Sequence, residues 1–295
     1  MADCLLRSLM FIPAHNKRLL DSSLRTDADA LLLDLEDSVQ PAANKTVARN
    51  QILDYLEQGK FNKRQIFPRV NDRESGELLR DVTTLALPGI DGFVYPKAKT
   101  GQDIYFFDKL LETIEYERGI EIGTFKIIAL IETASAVLHA EEIAKASERV
   151  IAIAFGNEDF LADIQGENDK EASPLFTARS MIAMAAHSAR VAPIDTVHIK
   201  VHDLEDLEFN LKIASKLGFQ GQLVLHPKEL PLVHQYYSPT EEEVKEAREM
   251  VDAFEQSKKE GVGVAIVNGK FVGPPLVRKA KEILDRHKKI QTKAL

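Results

Sequence analysis

The sequence predicts an α/β protein: a (β/α)8 TIM barrel with a C-terminal helical and hairpin extension. Three observations carry that expectation. Eight short apolar runs recur over about 230 residues, close to the usual size of such a barrel. Most of the runs are continuously apolar rather than alternating, as befits strands buried on both faces of a parallel sheet. Helical periodicity separates most of them, at roughly 23–35 residues per unit.

The proposed strands are residues 8–13, 30–35, 65–70, 92–96, 126–131, 150–155, 189–193 and 222–226. Helical patterns cover residues 42–58, 102–118, 136–147, 177–189 and 204–217. The rival architecture, a doubly wound sheet, typically carries a glycine-rich phosphate loop after its first strand. Here that strand ends in Pro13, Ala14, His15 and Asn16, with no glycine. Beyond His226 the pattern changes. Thr240 followed by Glu241, Glu242 and Glu243 reads as a capped helix start, running to about Lys259. Residues 261–269 read as a hairpin with an Asn268-Gly269 turn, and Pro274-Pro275 opens a last helix through His287. The expected division is a catalytic barrel over residues 1–236 and an extension over 237–295. That extension packs beneath the barrel or sits at a subunit interface.

Composition narrows the function. The 295 residues hold 46 acidic and 38 basic side chains, a net charge of -8, which argues against general nucleic-acid or anionic-membrane binding. The single cysteine, Cys4, excludes an intramolecular disulfide and fits a reducing cytoplasm. No stretch approaches the ~18 apolar residues of a membrane span. Asp3 within the first seven residues, with no long apolar run, is unlike a signal peptide. A cytoplasmic protein is expected.

In such a barrel the chemistry sits at the C-terminal ends of the strands. The polar residues there are Asp34, Glu36 and Asp37, then Arg69 and Asn71, then Lys97, Glu132, Asn157, Glu158, Asp159 and His226. Glu132 and Asp159, expected at the ends of neighbouring strands, would repel unless a cation lay between them. Mg2+ suits the pair because it binds one or two carboxylates and completes its shell with water and substrate oxygens. A salt-bridged or proton-sharing pair is the plainer alternative. Arg69 offers a planar fork for a carboxylate, or else a structural ion pair with Asp34, Glu36 or Asp37. Lys97 is read as electrostatic rather than as a Schiff-base lysine. Lys17, Arg18 and Arg25 are either a solvated helix face or a phosphate contact.

An ordered set of motifs resembles a known family: RSLMFIP (7–13), LDLEDSV (33–39), PRVN (68–71), YPKA (95–98), LIETA (130–134), FGNEDF (155–160) and LHP (225–227). The whole is similar to the citrate lyase beta-subunit-like proteins of the HpcH/HpaI aldolase superfamily, a group that includes malyl-CoA and citramalyl-CoA lyases. The resemblance implies a Mg2+-dependent lyase that cleaves a 3-hydroxy-3-carboxyacyl thioester into a keto acid and an acyl-CoA. It implies that Glu132 and Asp159 ligate the metal and that Arg69 clamps the keto-acid carboxylate. Gly156 and Asn157, with Lys97, line the pocket, Glu36 and Asp37 support the catalytic group, and Lys17 and Arg18 are weaker candidates for coenzyme A. It also implies a homotrimer, or a hexamer of trimers.

Two positions depart from that pattern. Gly273 stands where CoA-dependent members carry a tail aspartate as acid/base, and Lys200 stands where an acid is expected. Four readings follow: a CoA-thioester lyase, a citrate lyase beta subunit using a carrier-protein thioester, a CoA-independent aldolase, and a catalytically retired ligand-binding homologue.

Overall fold

Apolar runs bounded by turn residues collapse into strands when helices can cover one face and a shared interior the other. The structure, a computed structural model, describes residues 4–293 and forms that arrangement. Met1, Ala2 and Asp3, part of the N-terminal reading above, lie outside the described residues. The strands are β1 (Ser8–Pro13), β2 (Ala30–Asp34), β3 (Gln65–Arg69), β4 (Gly92–Tyr95), β5 (Lys126–Ile131), β6 (Val150–Phe155), β7 (Ala192–Asp195) and β8 (Gly221–Val224). All neighbours are parallel, and β8 returns to β1, closing the barrel in chain order.

The helices between them are α1 (Lys17–Ser23), α2 (Ala43–Glu57), α3 (Leu78–Leu85), α4 (Gly101–Arg118), α5 (Ala134–Leu138), α6 (Ala140–Lys145), α7 (Asn157–Asp163), α8 (Ser173–Ala189) and α9 (Leu204–Leu217). Local chemistry starts several of them: Asn16, Thr133 and Asp203 cap α1, α5 and α9, and Thr100 with Asp103 forms a reciprocal box at α4. Every strand contributes to one buried cluster, which includes Leu9, Leu32, Phe67, Val94, Ile128, Ala152, Ile194 and Leu223. The barrel interior is therefore packed core rather than a pore.

Three expectations need correction. The seventh strand begins at Ala192, not 189, because α8 runs through Ala189 and ends on Arg190 in the left-handed region at φ +60°. The pattern over 136–147 is two helices, broken at His139, whose ring nitrogen Nδ1 sits 2.8 Å from the Ser135 carbonyl. The eighth strand stops at Val224, since the His226 amide instead donates to the Glu229 carboxylate at 2.9 Å, opening a 3-10 turn.

The chain divides into two compact units between Val233 and His234, within α10 (Leu230–Tyr237). The second holds α11 (Glu241–Lys259), the antiparallel strands β9 (Ala265–Val267) and β10 (Lys270–Val272), and α12 (Pro274–Lys293). Thr240 and Glu243 cap α11 reciprocally. Asn268 and Gly269 both take positive φ, +49° and +73°, as a two-residue hairpin turn of this type requires. The last helix continues six residues past His287. No helix among the described residues is long and apolar enough to cross a membrane.

Candidate active site

Strand register brings the first cluster together. Asp34 and Arg69 are register partners at the ends of β2 and β3, so their side chains meet. Asp34 accepts from Arg69 Nε at 2.6 Å and Nη2 at 2.8 Å, and from the amides of Glu36 and Ser38 at 3.0 Å each. Burial alone would push the Asp34 carboxyl up, but Arg69 and these donors hold it below its ordinary value. The remaining Arg69 nitrogen, Nη1, lies 3.0 Å from Glu36 and 3.3 Å from the exposed Asp37. The guanidinium also stacks 4.7 Å over the ring of Phe11. The contacts are those of the structural reading of Arg69: Nε and Nη2 hold Asp34, and Nη1 pairs with Glu36 and Asp37.

Lys97, just past β4, ties in the other side. Its Nζ lies 2.8 Å from Glu36 and 3.8 Å from both Asp37 and Asp72. Burial lowers its pKa, yet the Glu36 carboxylate more than offsets this and raises it. The Lys97 backbone is left-handed at φ +53°, a conformation that costs an L-residue roughly 1–2 kcal/mol. That turn points the Lys97 amide at Glu132 Oε1, 2.5 Å away.

Glu132 is perturbed further than Glu36, the other carboxyl raised in the cluster. The Glu132 side chain is buried, and burial together with the charges of Glu36 and Asp159 pushes its pKa up to about 8, against the Lys97 amide and Arg69. Glu36 is pushed up to about 7, mainly by burial. Gly156 backs Glu132 because its amide pairs with Ile131 across β5 and β6. A Cβ at Gly156 would stand 2.7 Å from Glu132 Cβ and 2.9 Å from Oε2, so only glycine fits there. Asp159 is not a strand-end residue as expected. It is the third residue of α7 and exposed, and its charge reaches Glu132 from the first turn of that helix.

No group of three or more potential metal ligands occurs among the described residues. Two carboxylates, one of them packed directly against the glycine at position 156, nevertheless fit a hard, oxygen-seeking divalent ion that retains most of its water. They offer none of the histidine or cysteine ligands on which zinc sites are mostly built.

Several supports escaped the sequence reading. Lys45 Nζ donates to the carbonyls of Leu35 (3.1 Å) and Glu36 (3.3 Å) and to the Asn71 side chain, bracing the loop after β2. Asn71 in turn donates to Asp81 through its backbone and side chain, and Arg49 pairs with Asp81 at 2.7 Å. The signal was available: Lys45, Ala48, Arg49 and Ile52 share the buried face of α2 at helical spacing. Asn157 bonds Thr196, a residue that the sequence did not single out. Other candidates stand apart. Lys17 and Arg18 are exposed on α1, and among the described residues no contact joins them to the acidic cluster. His226 stacks edge-on with His202 at 5.7 Å. Lys200 pairs with Asp206 at 3.4 Å. Gly273 lies in the second unit, where an added Cβ would meet only Phe271 at 3.6 Å and Pro275 at 3.9 Å. These are ordinary contacts, so an aspartate would fit.

A closed parallel barrel with ionisable groups gathered past its strand ends defines an enzyme-type (β/α)8 protein. The chain belongs to the HpcH/HpaI aldolase/citrate lyase family, whose model matches residues 7–227. It is 35% identical over 280 residues to citrate lyase subunit beta of Escherichia coli K12, covering 95% of this chain and 92% of that one. It is 29% identical over 298 residues to L-malyl-CoA/beta-methylmalyl-CoA lyase of Rhodobacter capsulatus, covering 94% and 93%. Protein CitE from Mycobacterium tuberculosis, solved with magnesium, acetoacetate and coenzyme A, matches with a TM-score of 0.72 and 26% identity, over 97% of this chain and 100% of that one. The resemblance drawn from the ordered motifs is borne out, and the relatives are lyases by name.

Proposed function

We propose that this chain is a Mg2+-dependent carbon-carbon lyase acting on a 3-hydroxy-3-carboxyacyl-CoA of the malyl, citramalyl or citryl type. The observation that carries the proposal is the buried Glu132 carboxylate, facing Glu36 and Asp159 beside the Arg69 fork. A second negative charge beside a buried carboxylate calls for a cation. Magnesium in the CitE complex supports Mg2+ as that cation. Glu132 and Asp159 would hold it. When bound, Mg2+ polarises the carbonyl that forms on the keto-acid fragment.

The chain's own residues do the rest. Arg69, anchored on its Asp34 edge, presents Nη1 to the keto-acid carboxylate, which displaces the exposed Asp37 from that nitrogen. Glu36, near pKa 7, sits in the range suited to a general base at neutral pH, and it takes the hydroxyl proton. The C–C bond then breaks, its electron pair leaving with the thioester fragment as an enolate. The hydroxyl carbon becomes the keto-acid carbonyl, and protonation of the enolate completes the acyl thioester. Lys97 opposes the burial that raises Glu36 and fixes Glu132 through its amide. Gly156 and Asn157 form the wall beside Glu132, and the subunits assemble as a homotrimer or a hexamer of trimers.

The test is mass spectrometry of the protein with Mg2+ and malyl-, methylmalyl-, citramalyl- and citryl-CoA, run with and without EDTA and beside Gly273→Asp. Metal-dependent cleavage of one thioester by the wild type is the expected result. Cleavage unaffected by EDTA, or none in either protein with any CoA ester, overturns the reading. A second reading is favoured by the 35% identity to a citrate lyase beta subunit over nearly the whole chain. On that reading the thioester is borne by a carrier protein, and turnover appears only when an acyl-carrier partner is added.

A further inference from the structure

We infer that Thr196 is a positioning residue: it sets where Asp159 stands relative to Glu132, and so governs affinity for the divalent ion. The inference rests on the ion-binding reading above and begins from a conflict in the first turn of α7. A helix start leaves its first amides without partners, and a Ser, Thr, Asn or Asp at the N-cap ordinarily serves them. The N-cap here is Gly156, which makes no side-chain cap. A side chain is excluded at that position, because its Cβ would lie 2.7 Å from Glu132 Cβ. The close approach of Glu132 has therefore removed the local cap.

The missing hydroxyl comes from the neighbouring strand. Thr196 follows β7 directly, and its Oγ accepts from the Asn157 amide at 3.1 Å. The same hydroxyl donates to the Asn157 side-chain oxygen, so one group grips the first residue of the helix twice. Thr196 is itself anchored from β8, where the Gln222 side-chain amide donates to its carbonyl at 2.5 Å. All three residues are buried, with Thr196 at 3% exposure, Asn157 at 5% and Gln222 at 1%. Asp159 lies two residues beyond Asn157 on the same turn. Its exposed carboxylate has no hydrogen-bond partner among the described residues, so the backbone of that turn fixes the point from which it can reach toward Glu132. Thr196 touches neither carboxylate and acts through Asn157.

The readout is Mg2+ affinity by calorimetric titration of the full chain, with melting temperature measured alongside. Losing a group that orients a metal ligand typically weakens binding about 10–100-fold, and Thr196→Val should fall in that range. Thr196→Ser keeps the hydroxyl and should bind as the wild type does. Thr240→Ala, which removes the side-chain cap of α11, should lower the melting temperature and leave Mg2+ affinity unchanged. Thr196→Ala replaces the valine variant should that chain not fold. Wild-type affinity in the folded valine or alanine variant overturns the inference, as does equal weakening in Thr196→Ser. A wild type that binds no Mg2+ overturns the ion-binding reading first, and this inference with it.

Discussion

Glu132 is a carboxyl held where the charged form is disfavoured. Burial and the charges of Glu36 and Asp159 raise it from 4.5 to about 8. The folded state therefore keeps a proton that the unfolded chain releases. The stability linked to this group is fully present below about pH 4.5 and is lost as pH rises toward 8. Glu132→Gln carries no charge to bury, so without metal it should melt several degrees above the wild type at pH 8. The gap should close toward pH 5, while Mg2+ binding is abolished. Thermal melts at the two pH values with EDTA decide the matter, and a variant that melts lower at pH 8 would sink it. The sequence exposed Glu132, Arg69 and Lys97 because each lies at or just past the end of an apolar run, where a barrel strand must end. It hid Thr196, because a threonine just past a strand end looks solvated until α7 is in place beside it, whereas the burial of Lys45 was carried by the helical spacing of α2.

Elements were legible where hydrophobic burial alone defines them. Strands β1, β5 and β6 match the proposed runs at both ends, since apolar residues fill all of β6 and all but the first position of β1 and β5. Boundaries set by backbone conformation were not, as at Arg190, which closes α8 in a conformation usually given to glycine. Buried ion pairs between elements were equally invisible. Arg149, just before β6, donates to both oxygens of Glu115 on α4 at 2.8 and 2.6 Å, and also to Asp108. Glu115, fully buried, further accepts from the amides of Gly123 and Phe125 at 3.0 Å. This clamp ties α4 to the starts of β5 and β6, away from the chemistry. Arg149→Met leaves Glu115 buried without its cation and should cost about 3–5 kcal/mol in urea unfolding. Adding Glu115→Gln should recover part of the loss. A loss below about 1 kcal/mol, the range of exposed pairs, would mean the clamp is not desolvated.

At the scale of the molecule, the sequence pattern changes after His226 and puts the expected division at residue 236, while the structure separates two compact units after Val233. The extension was readable because its signals are local: a capping box at Thr240, an Asn-Gly turn and a proline pair. The residues assigned to the ion, Glu132 and Asp159, both lie in the first unit, with Gly156 and Thr196 that shape their surroundings. A ligand that binds only the folded state adds RT ln(1 + [L]/Kd), about 2.7 kcal/mol at a hundred times Kd. Calorimetry should accordingly show Mg2+ raising the transition of the barrel unit by about 5–10 °C at that excess, at roughly 2–4 °C per kcal/mol for domains of this size. EDTA should reverse the shift. If the two units unfold separately, the transition of the C-terminal unit should stay where it was, because it contributes no assigned ligand. Glu132→Gln inverts the pattern, being the more stable protein without metal at pH 8 and indifferent to metal when it is added. A wild type whose barrel transition ignores Mg2+ would remove the ion from the site, leaving Arg69, Lys97 and Glu36 to account for whatever the barrel binds.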